Sequence, residues 1–156
     1  MPIAPTLGHY LANRHVDYDL VAHQATASSL HTAGTCDIPA DRLAKGVVLR
    51  AGDGYVLVVL PASHRICRGD LKARFGKDCE FATEHELDQL FPDCAHGAVP
   101  PLGECYGLDV LVEDSMREPP EIYFEAGDHA TLVHMSQAQF ERLTAHAPHG
   151  CFTTRT

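Results

Sequence analysis

The chain has 156 residues, 45% of them hydrophobic, which suits one domain over residues 1–156 with its own apolar core. Its longest apolar run, Tyr55 to Ala62, is too short to cross a membrane, and Met1-Pro-Ile-Ala-Pro-Thr6 lacks the basic start and apolar stretch of a secretory signal, so a cytoplasmic protein is expected. The net charge of −9 argues against general nucleic-acid affinity, but residues 1–77 carry nine Lys and Arg against six Asp and Glu, and residues 78–156 carry three against fifteen.

In chain order, Leu7, Tyr10 and Leu11 give helical spacing to Thr6–His15, and Asp19–His23 reads as a short strand. Thr26–Ala33 reads as a helix capped by Thr26 and stopped by Gly34, and Asp41–Ala44 as a single turn. Lys45–Arg50 and Tyr55–Leu60 are rich in Val and Leu and flank Gly-Asp-Gly, the pattern of a β-hairpin. The second of these strands is apolar on both faces, which places it centrally in a sheet.

Arg68–Phe75 reads as a helix ended by Gly76, and Cys79–Ala82 as a strand. Thr83 and Glu86 are spaced as a capping box for a helix ending near Phe91-Pro92. Gly97–Gly107, with two prolines and three glycines, is a structured loop. Strands are predicted at Leu108–Val112, Glu121–Glu125 and Ala130–His134, then a final helix from its cap Ser136 to about His146. Helices and strands mix without strict alternation, which predicts an α+β domain with a mixed, partly closed sheet flanked by helices.

The six cysteines include no CxxC pair and are expected as free thiols. The eleven histidines form no HxH, HExxH or His–Cys cluster, so no metal and no cofactor are expected, although ligands brought together from distant positions stay open. Arg65, Arg68, Lys72, Arg74 and Lys77 crowd into thirteen positions, either a solvated face or a local phosphate-contacting patch.

Three features carry possible chemistry. Two-residue periodicity puts Lys45 in phase with Val47 and Leu49, so its ammonium either snorkels to water or faces a cleft. Gly97-Ala-Val-Pro-Pro101 is stiffened by two prolines that lack N–H groups, and the amides of Gly97 and Ala98 could then point outward at a carbonyl oxygen. His129 sits in the turn Gly127-Asp-His129 between two strands, where it is either solvated or at a cleft.

Ala44-Lys45, Val47-Val-Leu-Arg50, Val59-Leu-Pro-Ala-Ser-His-Arg65, Gly97-Ala-Val-Pro-Pro101 and Tyr123-Phe-Glu-Ala-Gly-Asp-His129 occur in that order. This combination resembles the YbaK/prolyl-tRNA-synthetase-associated editing domains, from about His9 to Phe140. Lys45 matches that family's active-site lysine, Gly97 and Pro101 its GxxxP loop, and Gly127 and His129 its G-x-H element. Gly46 and Ser63 depart from it, standing where many relatives carry Thr and Asp.

The resemblance implies metal-free hydrolysis of the ester joining an amino acid to the 3′-terminal adenosine of a mischarged tRNA. In that scheme Gly97 and Ala98 hold the carbonyl oxygen, Lys45 engages the terminal phosphate or the ester, and His129 shapes the pocket. Pro100, Pro101, Gly127 and Arg65 would contact substrate, and an aminoacyl-tRNA synthetase is a possible partner. The alternatives are a non-catalytic module of the same fold that binds tRNA or a synthetase, and hydrolysis of another small ester or amide.

Overall fold

The fold is seen in a computed structural model that describes residues 3–23 and 38–155. Helix α1 (Pro5–Asn13) begins with proline in its first turn and turns Leu7 and Leu11 into the core. After β1 (Asp19–Ala22), a 3-10 turn at Ala40–Arg42 leads into β2 (Leu43–Ala51) and β3 (Gly54–Pro61). There follow β4 (His64–Ile66), α2 (Arg68–Phe75), β5 (Cys79–Phe81), α3 (Glu84–Leu90), β6 (Asp109–Glu113), β7 (Glu121–Glu125), β8 (Thr131–Ser136), α4 (Gln137–Leu143), β9 (His149–Gly150) and β10 (Thr153–Arg155). The helix expected at Thr26–Ala33 lies outside the described residues.

The strands form an eight-stranded mixed sheet in the order β1-β8-β7-β2-β3-β6-β9, with β5 also paired to β2, and a separate β4–β10 pair. The expected hairpin is present, with Lys45 opposite Leu60 and Val47 opposite Val58. β3 is central, lying between β2 and β6. Its alternating side chains serve two cores: Leu57 and Val59 face one, and Val56, Val58 and Leu60 face the other. The first core takes Leu7 and Leu11 of α1 with Phe140 and Leu143 of α4. The second takes Leu71 of α2 with Phe152 near the chain's end. Each fully buried leucine contributes roughly 2 kcal/mol of transfer free energy, so the sheet is held from both sides.

Local signals place the flanking elements. Gly76 ends α2, and its N–H donates to Lys72 O at 2.8 Å. Thr83 and Glu86 form both bonds of the capping box on α3. Ser136 caps α4, as expected, but that helix stops at Leu143, where the Thr144 hydroxyl donates to Phe140 O at 3.0 Å. β4, β9 and β10 were not foreseen, since two or three residues carry no readable periodicity.

The arrangement of partners on the outer edge of β2 sets up the site. Parallel pairing with β7 covers Leu43 and Ala44, and antiparallel pairing with β5 covers Leu49 to Ala51. Between those two neighbours no strand among the described residues pairs with the edge of β2, which leaves a window in the described sheet. The Ala82 N–H donates to Val48 O across this edge at 3.0 Å. Because backbone groups alternate along a strand, the Gly46 amide and carbonyl turn the same way, into the window.

Candidate active site

A cleft of about 170 Å³ occupies this window, lined by Lys45, Gly46, Val47, Gly97, Val99, Phe81 and Glu125 among others. A larger groove of about 540 Å³, bordered by Tyr10, Tyr55 and Leu143, holds Pro101 and, from the basic cluster, Arg74 and Lys77, but neither Lys45 nor Gly97. The smaller cleft is therefore the one that gathers the chemistry.

Ala44 and Val48 pack into the first core, while Leu49 packs into the second, with Val47 against it. Lys45, in phase with Val47 and Leu49, thus projects from the second face and reaches the cleft. Its side chain is half-buried, and burial lowers its pKa below the ordinary lysine value. No carboxylate among the described residues comes within ion-pair distance of it. An ammonium that is partly desolvated and unpaired is poised for an anionic or carbonyl group supplied from outside.

Gly97 is the third residue of a tight turn, Ala95 to Ala98, at φ +78, the left-handed value that glycine tolerates best. The turn is closed by Ala98 N–H donating to Ala95 O at 3.1 Å. That bond corrects the expectation of two outward amides: Ala98 is fully buried and its N–H is engaged, so only Gly97 can offer one. Gly97 also needs to lack a side chain for a second reason. A Cβ there would sit 2.8 Å from His129 Nε2, because the imidazole lies directly against the glycine.

His129 is itself left-handed, at φ +64, a conformation costing a non-glycine residue roughly 1–2 kcal/mol. Asp128 holds the turn in place by accepting from the Ala130 and Thr131 amides (3.0 and 2.9 Å) and from the Thr131 hydroxyl (2.9 Å). His129 Nδ1 is buried and has no hydrogen-bond partner among the described residues. A strained turn that presses a histidine onto the bend of a second loop is the kind of local cost found at functional sites.

Gly46 gives the Gly97–Pro101 loop its seat. A Cβ on Gly46 would meet Leu57 Cδ1 at 3.1 Å and Pro101 Cα at 3.2 Å. The departure at Gly46 thus lets the proline backbone lie against β2. Pro100 and Pro101 are both buried, and they act as the loop's stiffening rather than as an open contact surface. Gly127 is buried against Ala4 and Cys94, and Arg65 is exposed on β4, so neither borders the cleft. The other departure, Ser63, donates to Asp41.

Among the cleft residues that the sequence did not point to are Glu125 and Phe81. Glu125 ends β7 on the same face as Lys45, because Phe124 beside it packs with Ala44 in the first core. Its carboxylate is buried, with His23 Nε2 at 3.3 Å from Oε2; burial pushes its pKa up, and His23 pulls it part of the way back. Phe81 ends β5 opposite Leu49 and is 53% exposed. Its only sequence signal was an aromatic at the end of a three-residue strand.

The cysteines beside the loop are packing groups. Cys94 Sγ lies 3.3 Å from Tyr106 OH, Cys105 Sγ donates to Leu102 O at 3.0 Å, and burial pushes the two thiols up to about 11 and about 12. Among the described residues no three His, Cys, Asp or Glu side chains come together as a metal site. No helix among them is long and apolar enough to cross a membrane.

A mixed α/β domain thus carries, at a break in its sheet, a small cleft lined by a lysine unpaired among the described residues and by a glycine turn. Over residues 13–143 the chain matches the aminoacyl-tRNA editing domain, and it belongs to that family. It is similar in fold to a candidate trans-editing enzyme for prolyl tRNA synthetase (TM-score 0.83, 22% identity, covering 99% of this chain and 98% of that one). A hypothetical protein of known structure superposes equally well (TM-score 0.83, 18% identity, 96% and 99% covered). A chain described as a candidate signal transduction protein from Marinobacter aquaeolei VT8 contains the same fold in 30% of its length (TM-score 0.75, 18% identity, covering 96% of this chain). No curated protein matches.

Proposed function

We propose that this chain is a trans-editing deacylase, cleaving the ester between an amino acid and the 3′-terminal adenosine of a mischarged tRNA. The observation that carries the reading is the meeting of Lys45, partly desolvated and without a carboxylate partner among the described residues, with the Gly97 turn at one small cleft. Family membership supplies the substrate class, and the cleft supplies groups suited to it.

In this scheme the Gly97 N–H donates to the ester carbonyl oxygen, and that bond strengthens as water adds to the carbonyl carbon and negative charge develops on the oxygen. One such donor is worth about 3 kcal/mol in the transition state. Collapse breaks the bond to the ribose oxygen, which takes up a proton, and releases the free amino acid and the intact tRNA. Lys45 engages the phosphate of the terminal nucleotide or the reacting ester. His129 fixes the Gly97 bend by packing against its α-carbon. An aminoacyl ester is already activated, so a held water and a stabilised oxyanion suffice without a covalent nucleophile or a metal. The cleft's small volume favours small aminoacyl groups. In this scheme the chemical step needs no group from a synthetase, since every group named lies on this chain.

The test is a deacylation screen with alanine, serine, threonine and cysteine on non-cognate tRNAs. The purified protein is expected to hydrolyse at least one of these, and Lys45→Ala to lose that activity while staying folded. Full activity of Lys45→Ala on the best substrate overturns the assignment.

A further inference from the structure

Phe81 has no place in the hydrolytic step, yet it is one of two large apolar side chains with more than a third of their surface exposed among the described residues. Exposure of this kind at the lip of a cleft calls for a partner. The other, Leu20, does not line the cleft.

Antiparallel pairing sets Phe81 opposite Leu49, so its side chain leaves the sheet on the same face as Leu49, Val47 and Lys45. Four residues of extended strand separate Leu49 from Lys45, about 13 Å, a gap that a lysine side chain and one nucleoside can bridge. The ring is also braced. The Arg68 guanidinium lies 5.6 Å from its centroid, and Arg68 is itself tied down by two hydrogen bonds to Cys79 O, from Nε at 3.2 Å and from the terminal nitrogen at 2.7 Å. A planar cation thus covers part of the ring and holds it upright, and the rest of its surface borders the cleft.

We propose that Phe81, braced by Arg68, is the stacking platform for the base of the substrate's terminal nucleotide, a positioning residue set one nucleoside away from Lys45. The base stacks on the ring, the ribose hangs over Val47, and the ester-bearing oxygen is brought to the Gly97 turn. This inference rests on the reading of the cleft as the seat of a tRNA 3′ end.

The test uses binding, so that it stands apart from turnover. AMP and ribose 5-phosphate, which share the phosphate and sugar but differ in the base, are titrated against wild type, Phe81→Ala and Phe81→Tyr, with ring resonances of Phe81 followed by NMR. AMP is expected to shift those resonances and to bind roughly tenfold or more weakly to Phe81→Ala, the loss typical of base-stacking aromatics. Phe81→Tyr is expected to bind AMP like wild type, and ribose 5-phosphate to bind all three proteins equally. Equal AMP affinity in wild type and Phe81→Ala overturns the proposal, as does AMP that fails to bind wild type. A change of amino-acid preference in Phe81→Ala with AMP affinity intact overturns it in favour of a side-chain contact. Deacylation of mischarged tRNA by wild type judges the enzymatic reading separately: activity with no AMP effect sinks only the platform.

Discussion

Gly97→Ala is the most informative single change, because the structure separates its costs. A residue with a side chain held at φ +78 pays roughly 1–2 kcal/mol in backbone strain. The new methyl would also stand 2.8 Å from His129 Nε2, so the imidazole or the turn must move. For a domain of this size the strain alone lowers Tm by about 2–8 °C. Displacing the proposed carbonyl-oxygen donor lowers kcat by about a hundredfold or more. His129→Ala removes the obstructing ring but leaves the backbone strain. The Gly97→Ala/His129→Ala double mutant is therefore less destabilised than the sum of the singles, by a coupling on the order of 1 kcal/mol. Thermal melts and single-turnover deacylation on the four proteins measure both effects. Wild-type turnover in Gly97→Ala, or additive stability losses, refutes the packing of His129 on Gly97 as a working part of the site.

Lys45→Ala is expected to lower kcat/KM by about a hundredfold with little change in the melt, since the ammonium has no internal partner among the described residues to lose. Burial lowers the Lys45 pKa, so its charge is lost at a lower pH than in a solvated lysine. After the uncatalysed rate is subtracted, kcat/KM should fall on the alkaline side, and Lys45→Arg should move that limb upward; a limb unmoved by the arginine rules out Lys45 as its source. Glu86 gives a pH effect on stability instead. Its carboxyl is held down to about 2, first by the Thr83 amide and then by the Tyr55 hydroxyl. Its folded pKa lies below its unfolded one, so its contribution is present above the ordinary carboxylate range and lost as pH falls toward about 2. The Tm gap between wild type and Glu86→Gln should therefore narrow over that acid window; a gap constant with pH contradicts the cause given.

What could be read from the sequence was whatever depends on near neighbours. The phase of Lys45 with Val47 and Leu49, the hairpin around Gly-Asp-Gly, the Gly76 stop and the Thr83–Glu86 box are all decided within a few residues, and each appears in the structure. The window was not legible. It exists because β2 pairs with β7, some eighty residues downstream, at one end and with β5 at the other. No periodicity within β2 reports which partner covers which stretch. Glu125 and Phe81 end those two partner strands, so their membership of the site was hidden for the same reason. The Ala98 amide was misread because a Pro-Pro loop suggests stiffness but does not say that a turn bond to Ala95 will occupy that donor.

The charge distribution takes on a different meaning once the strands are in place. A chain of net charge −9 should repel tRNA, and the basic cluster from Arg65 to Lys77 read either as a solvated face or as a local phosphate-contacting patch. Much of that cluster is occupied internally: Arg68 holds Cys79 O and braces Phe81, Lys72 pairs with Asp78 at 3.2 Å, and Arg74 donates to His149 O at 3.4 Å. Among the described residues lining the cleft, Lys45 is the one cation, alongside the acidic Glu84 and Glu125. At physiological ionic strength charges more than about 8 Å apart are largely screened, so the acidic half of the chain weighs little on a phosphate held at the window. Attraction there is local and rests mainly on one partly desolvated ammonium. The salt slope of substrate binding should accordingly be shallow, close to that of one or two phosphate contacts, and it should flatten further in Lys45→Ala.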